Sequence, residues 1–197
     1  MLVTAHLSDR DLAAYLHAHG VPAELVRPGA PTPTVADAAR ALGVGPHAIV
    51  KSLVFEVADR RDGDRADGGA GDPAAEDGRR PLLVIAAGET RVRMPKLAEA
   101  LGTSRRALRL ASPERTLELT GYPVGAMPPF GHRSRLPTLV DSVSVPAGAV
   151  VFGGGGARDV LLRVSVDALL SATRARHLPL TDDPPRGQGE GVKEMTS

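Results

Sequence analysis

One lysine stands on a strand face that is otherwise apolar. The segment Ala48–Val57 is rich in branched and aromatic side chains, and this composition predicts a β-strand. Because side chains alternate between the two faces of a strand, Lys51 shares its face with Ile49, Leu53 and Phe55. An ammonium group on such a face needs a partner, a pocket or a ligand. The opposite face mixes apolar and polar residues and is expected to be half-solvated: Val50, Ser52, Val54 and Glu56.

Composition makes this lysine unusual. The chain has 24 basic residues, of which only Lys51, Lys96 and Lys193 are lysines. Since the chain uses arginine almost everywhere else, a retained lysine suggests a position that needs a compact ammonium and not a planar guanidinium. The pattern alone leaves two interpretations open: either Lys51 serves a functional site, or its stem packs while its charged head reaches water.

Two glycine-rich segments could hold a ligand through their backbones. In Gly125–Gly131, proline makes the loop rigid and glycine allows close approach, which suits a wall around a small group. Gly153–Gly156 could also bring amide groups close to a ligand, since glycine has no Cβ. The Gly-Lys-Ser/Thr of a phosphate loop does not follow this second segment. Either segment could equally be a structural turn.

Side chains typical of metal sites and of nucleophilic catalysis are missing or badly spaced. The six histidines show no metal-ligand spacing, and only His132 adjoins a candidate loop. No pair of nucleophile and base can be recognised. We therefore predict neither a metal nor a cofactor. Several arginines could contact phosphates: Arg91, Arg93, Arg105, Arg106, Arg109, Arg133 and Arg135.

Size and composition indicate a globular domain. A chain of 197 residues with 42% hydrophobic residues can build one core, which must be aliphatic because only 3% are aromatic. The absence of cysteine excludes disulfides, thiol catalysis and zinc-thiolate sites, and it suits a reducing cytoplasm. No signal peptide is expected, because charges at 9–11 interrupt the amino-terminal region. The apolar run 82–87 is too short to span a membrane.

Capping signals divide the chain into short elements. Helices are expected to begin near Ser8, Thr34, Pro95, Ser112 and Ser165. Strands are expected at 21–27, 48–57, 81–87, 91–93, 107–110, 138–141, 149–152 and 160–164. This order predicts a compact α+β domain with a mixed, barrel-like sheet surrounded by helices.

Two segments of biased composition are expected to lie outside the packed structure. Residues 58–80 have no apolar periodicity and predict a flexible insertion loop, and residues 179–197 predict a disordered carboxyl-terminal tail. The predicted domain is therefore 1–178.

An ordered set of motifs resembles one family. The motifs are Thr34–Ala39 with Leu42-Gly43, Ile49–Leu53, Met94–Ala98 with Leu101-Gly102, Leu119–Gly125, Pro129–Gly131, Leu136–Asp141, and the glycine run before Arg158. Together they resemble the YbaK/ProX-type aminoacyl-tRNA deacylases, relatives of the editing domain inserted in bacterial prolyl-tRNA synthetase. The likeness spans about residues 8–176.

The resemblance implies hydrolysis of the ester that joins a wrong amino acid to tRNA. The family's lysine falls on Lys51 and its Gly-x-x-x-Pro loop on Gly125 to Pro129, so these three residues are the expected catalytic set. Lys51 would hold the terminal phosphate or ribose, while the loop backbone would fix the α-amino group and polarise the ester carbonyl. Water would attack with help from a substrate hydroxyl, and a small pocket would exclude larger side chains.

The resemblance also implies a substrate-binding set: Ser52, Ala126, Met127, Pro128, Phe130, Gly131, His132, Asp141, Gly154 and Gly155. Some family members carry a serine and an aspartate where this chain has Gly154 and Leu161, which argues against a cysteinyl-type specificity. The expected partner is the aminoacylated 3′ end of a tRNA, first of all tRNA-Pro with a small wrong amino acid, and an aminoacyl-tRNA synthetase is a second partner. The alternatives are a non-catalytic module that recruits tRNA or a synthetase through the same pocket, and a small-molecule hydrolase unrelated to tRNA.

Overall fold

A computed structural model describes residues 6–30, 32–58 and 78–182. Within them the helices are α1 (Asp9–His19), α2 (Val35–Leu42), α3 (Met94–Ala100), α4 (Pro113–Thr120) and α5 (Val166–Thr173). The strands are β1 (Ala23–Val26), β2 (Val50–Ala58), β3 (Arg79–Ala87), β4 (Leu108–Leu110), β5 (Thr138–Asp141), β6 (Val150–Gly154), β7 (Leu161–Ser165) and β8 (Arg176–Leu178). None of these helices is long and apolar enough to cross a membrane.

The strands form two sheets. The larger has the order β4-β2-β3-β5-β8, antiparallel from β4 to β3 and parallel from β3 to β8. The smaller, β1-β7-β6, is antiparallel, and a parallel bridge between Ile49 and Phe152 links the two. The predicted α+β class with a mixed sheet is confirmed, but over the described ranges the sheets do not close into a barrel.

Strand β2 is buried on both faces, which corrects the half-solvated face expected from its sequence. Val50 and Val54 belong to the largest apolar cluster, whereas Phe55 and Val57 belong to a second cluster that includes residues of α3. Glu56 is only 4% exposed because its carboxylate accepts from Arg109 Nε at 2.7 Å and pairs with Arg115 Nε at 3.4 Å. Two guanidinium groups therefore allow a charge on a buried face.

The packed structure extends beyond the boundaries predicted for the insertion and the tail. Ala58 pairs with Arg79, so the β2–β3 hairpin includes both ends of the predicted insertion, whose residues 59–77 lie outside the described ranges. Residues 91–93, predicted as a strand, instead lead into α3.

The region beyond the predicted domain end is also packed as far as residue 182. Leu180 is fully buried, and Thr181 is 1% exposed. Asp182 pairs with Arg93 and Lys96, with both nitrogen–oxygen distances 2.7 Å. The assignment of 179–182 to a disordered tail is therefore wrong, whereas 183–197 lie outside the described residues.

Candidate active site

Lys51 lies near the start of β2, and its ammonium group binds the turn after β3. Nζ donates to the carbonyl oxygen of Gly88 at 2.9 Å and to that of Thr90. Burial lowers the pKa of Lys51, and the nearby Arg91 guanidinium lowers it further. Among the described residues no carboxylate lies within ion-pair distance of Lys51 or Arg91. This end of the sheet therefore carries two cations that the described acidic residues do not neutralise.

The same turn is supported from its other side by Asp141. Thr90 Oγ1 lies 3.5 Å from Ser144 Oγ, which donates to Asp141. Asp141 is fully buried and also accepts from the backbone amides of Leu180, at 2.7 Å, and Thr181, at 3.1 Å. These partners outweigh burial and lower the pKa of Asp141. In this structure Asp141 therefore holds the framework together, and its predicted contact with substrate stays a prediction.

The predicted loop Gly125–Pro129 packs against the glycine run at the end of β6. Gly156 N donates to Ala126 O at 2.9 Å, and Ala126 N donates to Pro123 O at 3.1 Å. Gly125 has φ +91, a conformation that other residues adopt only with strain. Because proline has no N–H, only residues 125–127 of the loop carry backbone amides. Those of Gly125 and Met127 have no hydrogen-bond acceptor among the described residues.

Close approach explains why glycine occupies position 154. A Cβ there would lie 2.5 Å from Met127 O and 2.8 Å from two backbone atoms of Ala126. At Gly153 the space is larger, with the nearest atoms of Val50 and Pro129 at 3.4 and 3.5 Å. Gly155 is crowded by Val160 instead. Glycine at 154 therefore allows the loop to touch the sheet, whereas glycine at 153 is not sterically required.

His132 fixes the far end of this loop. Its Nε2 lies 2.8 Å from Pro128 O, and its ring meets that of Tyr122 edge to face at 6.2 Å. Burial lowers the pKa of His132 to about 4, although the hydrogen bond to Pro128 opposes this shift. The ring is therefore neutral at pH 7, and Nε2 carries the proton because a carbonyl oxygen can only accept.

The structure does not bring Lys51 into contact with the loop. Val50 and Ser52 share the β2 face that turns toward Gly153 and Pro129, whereas Lys51 points to the other face. Lys51 is instead linked to Asp141 through Thr90 and Ser144. The predicted site thus consists of a cationic turn and a backbone loop on opposite faces of one strand.

Three of the predicted substrate-binding residues line a cleft behind the loop. Phe130, Gly131 and His132 face a space of about 550 Å³ between α1, α5 and residues 129–138. Tyr15, His19 and Arg174 also line it, although their positions in the sequence do not mark them as site residues. The i,i+4 spacing of the two rings on α1 is the signal that could have located this cleft. No group of three potential metal ligands occurs in the described ranges.

A family model described as "aminoacyl-tRNA editing domain" matches residues 29–172. The chain is also 30% identical over 132 residues to the Bacillus subtilis (strain 168) protein YwhH, which is described as uncharacterized; the match covers 67% of this chain and 69% of YwhH.

Two solved structures share the fold. One is a candidate trans-editing enzyme for prolyl-tRNA synthetase, with a TM-score of 0.69 and 30% identity, covering 89% of this chain and 97% of that one. The other is the hypothetical protein APE2540, with a TM-score of 0.70 and 28% identity, covering 87% and 99%. Because the family model matches residues 29–172, the chain belongs to the aminoacyl-tRNA editing domain family.

Proposed function

We propose that this protein is a trans-editing hydrolase. Its substrate would be a tRNA, first of all tRNA-Pro, esterified with a wrong and small amino acid. Family membership and the similarity to a candidate prolyl-tRNA trans-editing enzyme support this reaction. The observation that carries the proposal is the backbone loop Gly125–Pro129, which packs against Gly154 and has two amides that donate to no acceptor among the described residues. We expect the reaction to take place in the cytoplasm, which suits a chain without cysteine.

The loop is suited to stabilising an oxyanion. Hydrolysis of an ester places negative charge on the carbonyl oxygen, and backbone amides held in advance stabilise it at little reorganisation cost. The amides of Gly125 and Met127 are the donors for this role, since Ala126 N is already bonded to Pro123 O. His132 acts as a positioning residue, because its neutral ring donates to Pro128 O and holds the loop.

The nucleotide end of the substrate would bind the cationic turn. Lys51 has three N–H donors and uses two of them on the carbonyls of Gly88 and Thr90. One donor remains for a phosphate or ribose oxygen, and Arg91 adds charge beside it. A nucleotide with its ester-linked amino acid is extended, so its two ends could reach both sides of the strand end.

Water is the proposed nucleophile, and a hydroxyl of the substrate itself is the proposed relay for its proton. The side chains of the loop residues 125–129 offer no carboxylate or imidazole, and His132 is too weakly basic to collect a proton at pH 7. Selectivity would come from size: a small pocket beside the buried residues Ala126 and Met127 would admit small side chains and exclude larger ones.

A panel of aminoacyl-tRNAs tests the proposal. The purified protein is incubated with tRNA-Pro carrying glycine, alanine, serine or proline, and the remaining ester is measured against buffer. We expect at least one small amino acid to be released about tenfold faster than in buffer. Retention of every ester, with tRNA still bound, would instead favour a non-catalytic binding module. Equal cleavage of a free amino-acid ester would favour a small-molecule hydrolase.

A further inference from the structure

The cleft behind the loop has the chemistry of an anion site. Over the part of the chain that the structure describes, its lining includes Arg135 and Arg174 but no aspartate or glutamate. Both arginines are exposed, and Arg135 uses one N–H on Thr173 O at 3.4 Å, which leaves most of its guanidinium available. A site lined by guanidinium groups without carboxylates favours a phosphate over a neutral or cationic ligand.

Arg174 keeps its cation at a position where glycine would fit the backbone better. It directly follows α5 and has φ 52. Among the described residues, every other residue with positive φ is a glycine. Glycine is the usual residue at such a helix end. Replacing Arg174 with glycine should therefore leave the fold intact, so the guanidinium can be removed without disturbing the helix.

A column of stacked rings stands beside these arginines. The Tyr15 ring lies 4.1 Å from that of His19 and 5.9 Å from that of Phe130, at interplanar angles of 24° and 26°. The His19 ring is held by a hydrogen bond of 2.9 Å to Tyr15 O. The whole chain has only five tyrosine and phenylalanine residues, so two of them in one cleft is a marked concentration. His19 is the exposed ring of this column, and an exposed aromatic ring is the usual platform for an unstacked base.

We propose that this cleft binds one nucleotide of single-stranded RNA. Its base would stack on the Tyr15–His19 pair, and its phosphate would lie between Arg135 and Arg174. The aromatic pair favours a base over an acidic peptide, for which the arginines alone would suffice. Because Pro129 belongs both to the cleft wall and to the proposed catalytic loop, the nucleotide would lie beside the reacting end. The identity of the RNA as a tRNA end rests on the proposed function, but the site itself does not.

Fluorescence anisotropy with a labelled, single-stranded RNA of seven nucleotides ending in CCA tests the site. Arg174→Gly should weaken binding by about threefold to tenfold and reduce the slope of log affinity against log salt by about one. Tyr15→Leu should weaken binding by about tenfold without changing the slope. Arg163→Gln, which removes an exposed arginine outside the cleft, is the matched control and should bind like the wild type. Urea unfolding of each variant verifies that it is folded.

Two results would overturn the site. The first is that both cleft variants bind the single-stranded probe as tightly as Arg163→Gln does. The second is that the cleft variants lose as much affinity for a fully base-paired probe as they lose for the single-stranded one. Ester hydrolysis by the wild type, measured separately, keeps the two proposals apart. Hydrolysis together with unchanged RNA binding by the cleft variants would refute only the cleft. Weakened RNA binding by a protein that hydrolyses no ester would refute only the enzyme.

Discussion

Lys51 and Lys96 hold main-chain carbonyls in the same way. Lys51 donates to Gly88 O and Thr90 O, while Lys96 donates to Thr181 O at 2.7 Å and pairs with Asp182. A point-like ammonium suits such carbonyl pockets better than a planar fork. The charged head of Lys51 thus binds two carbonyls, where one of the two interpretations left open expected it to reach water. Its functional role remains a proposal, for which one N–H donor is left.

This resemblance between the lysines supplies a control for the role of Lys51. Lys51→Ala and Lys96→Ala should each lower the free energy of unfolding by about 1–3 kcal/mol, since each leaves a carbonyl without its donor. Only Lys51→Ala should also lower the deacylation rate, by about 100-fold or more. Lys51→Arg should retain part of the wild-type deacylation rate, because it keeps the positive charge. Urea unfolding and single-turnover kinetics measure the two effects. Equal deacylation by both alanine variants would remove Lys51 from the proposed site.

His132 predicts a specific loss of stability in mild acid. The ordinary pKa of 6.5 applies to the unfolded chain, whereas burial lowers it to about 4 in the folded protein. The unfolded state therefore binds more protons between these values, and stability falls as the pH decreases from about 6.5 to about 4. At pH 5 the loss should be about 2 kcal/mol relative to pH 7.5.

The variant His132→Gln isolates this effect. It should lose about 2 kcal/mol less than the wild type between pH 7.5 and pH 5 in urea unfolding. The lowered pKa of Asp141 acts at lower pH, because its contribution is lost only as the pH falls below about 4. Identical pH dependences for the wild type and the variant would show that folding does not lower the pKa of His132.

At the scale of elements, local signals located the helices well. Ser8, Thr34, Ser112 and Ser165 are N-caps as predicted, because capping depends on residues three positions apart. Strand β8 was missed because it has only three residues and is held by contacts that are distant in sequence. The burial of both faces of β2 was missed for the same reason, since no local pattern shows what packs on a sheet.

In the candidate site, too, features that depend on local sequence could be predicted, whereas contacts between distant segments could not. The loop 125–129 and the glycine run could be identified from composition, because glycine and proline signal special backbone. Their contact could not, since Gly154 meets Met127 only through the fold. Tyr15 and Arg174 were missed as cleft residues because α1 and α5 lie far apart in the sequence.

The glycine run predicts unequal effects at neighbouring positions. Gly154→Ala forces a Cβ to within 2.5 Å of Met127 O, so the loop must move; we expect a loss of about 1–3 kcal/mol in stability and a tenfold or greater loss of deacylation. Gly153→Ala meets only ordinary contacts at 3.4 Å and should change either quantity little. Thermal unfolding and deacylation assays compare the pair. If Gly153→Ala lost as much deacylation activity as Gly154→Ala, the proposed packing of the loop against Gly154 would be contradicted.

At the scale of the whole molecule, Asp141 joins β5 to the segment that follows β8 and to the turn bound by Lys51. Asp141→Asn would place an amide group opposite N–H or O–H donors, and we expect it to lower the free energy of unfolding by about 2–4 kcal/mol. Asp167→Asn, at an exposed carboxylate that accepts from Gly148 N at 3.4 Å, is the control and should cost less than about 1 kcal/mol. Equal stability of the two variants in urea would mean that Asp141 does not hold the framework together.

The central claim, selective hydrolysis by the whole molecule, is tested most directly by a ratio of rates. Single-turnover rate constants are measured on one tRNA-Pro transcript carrying either alanine or proline, with the spontaneous loss in buffer subtracted. The proposed reaction predicts that alanine is released at least about tenfold faster than proline. Equal rates for the two amino acids, or no release of either above the buffer rate, would contradict it.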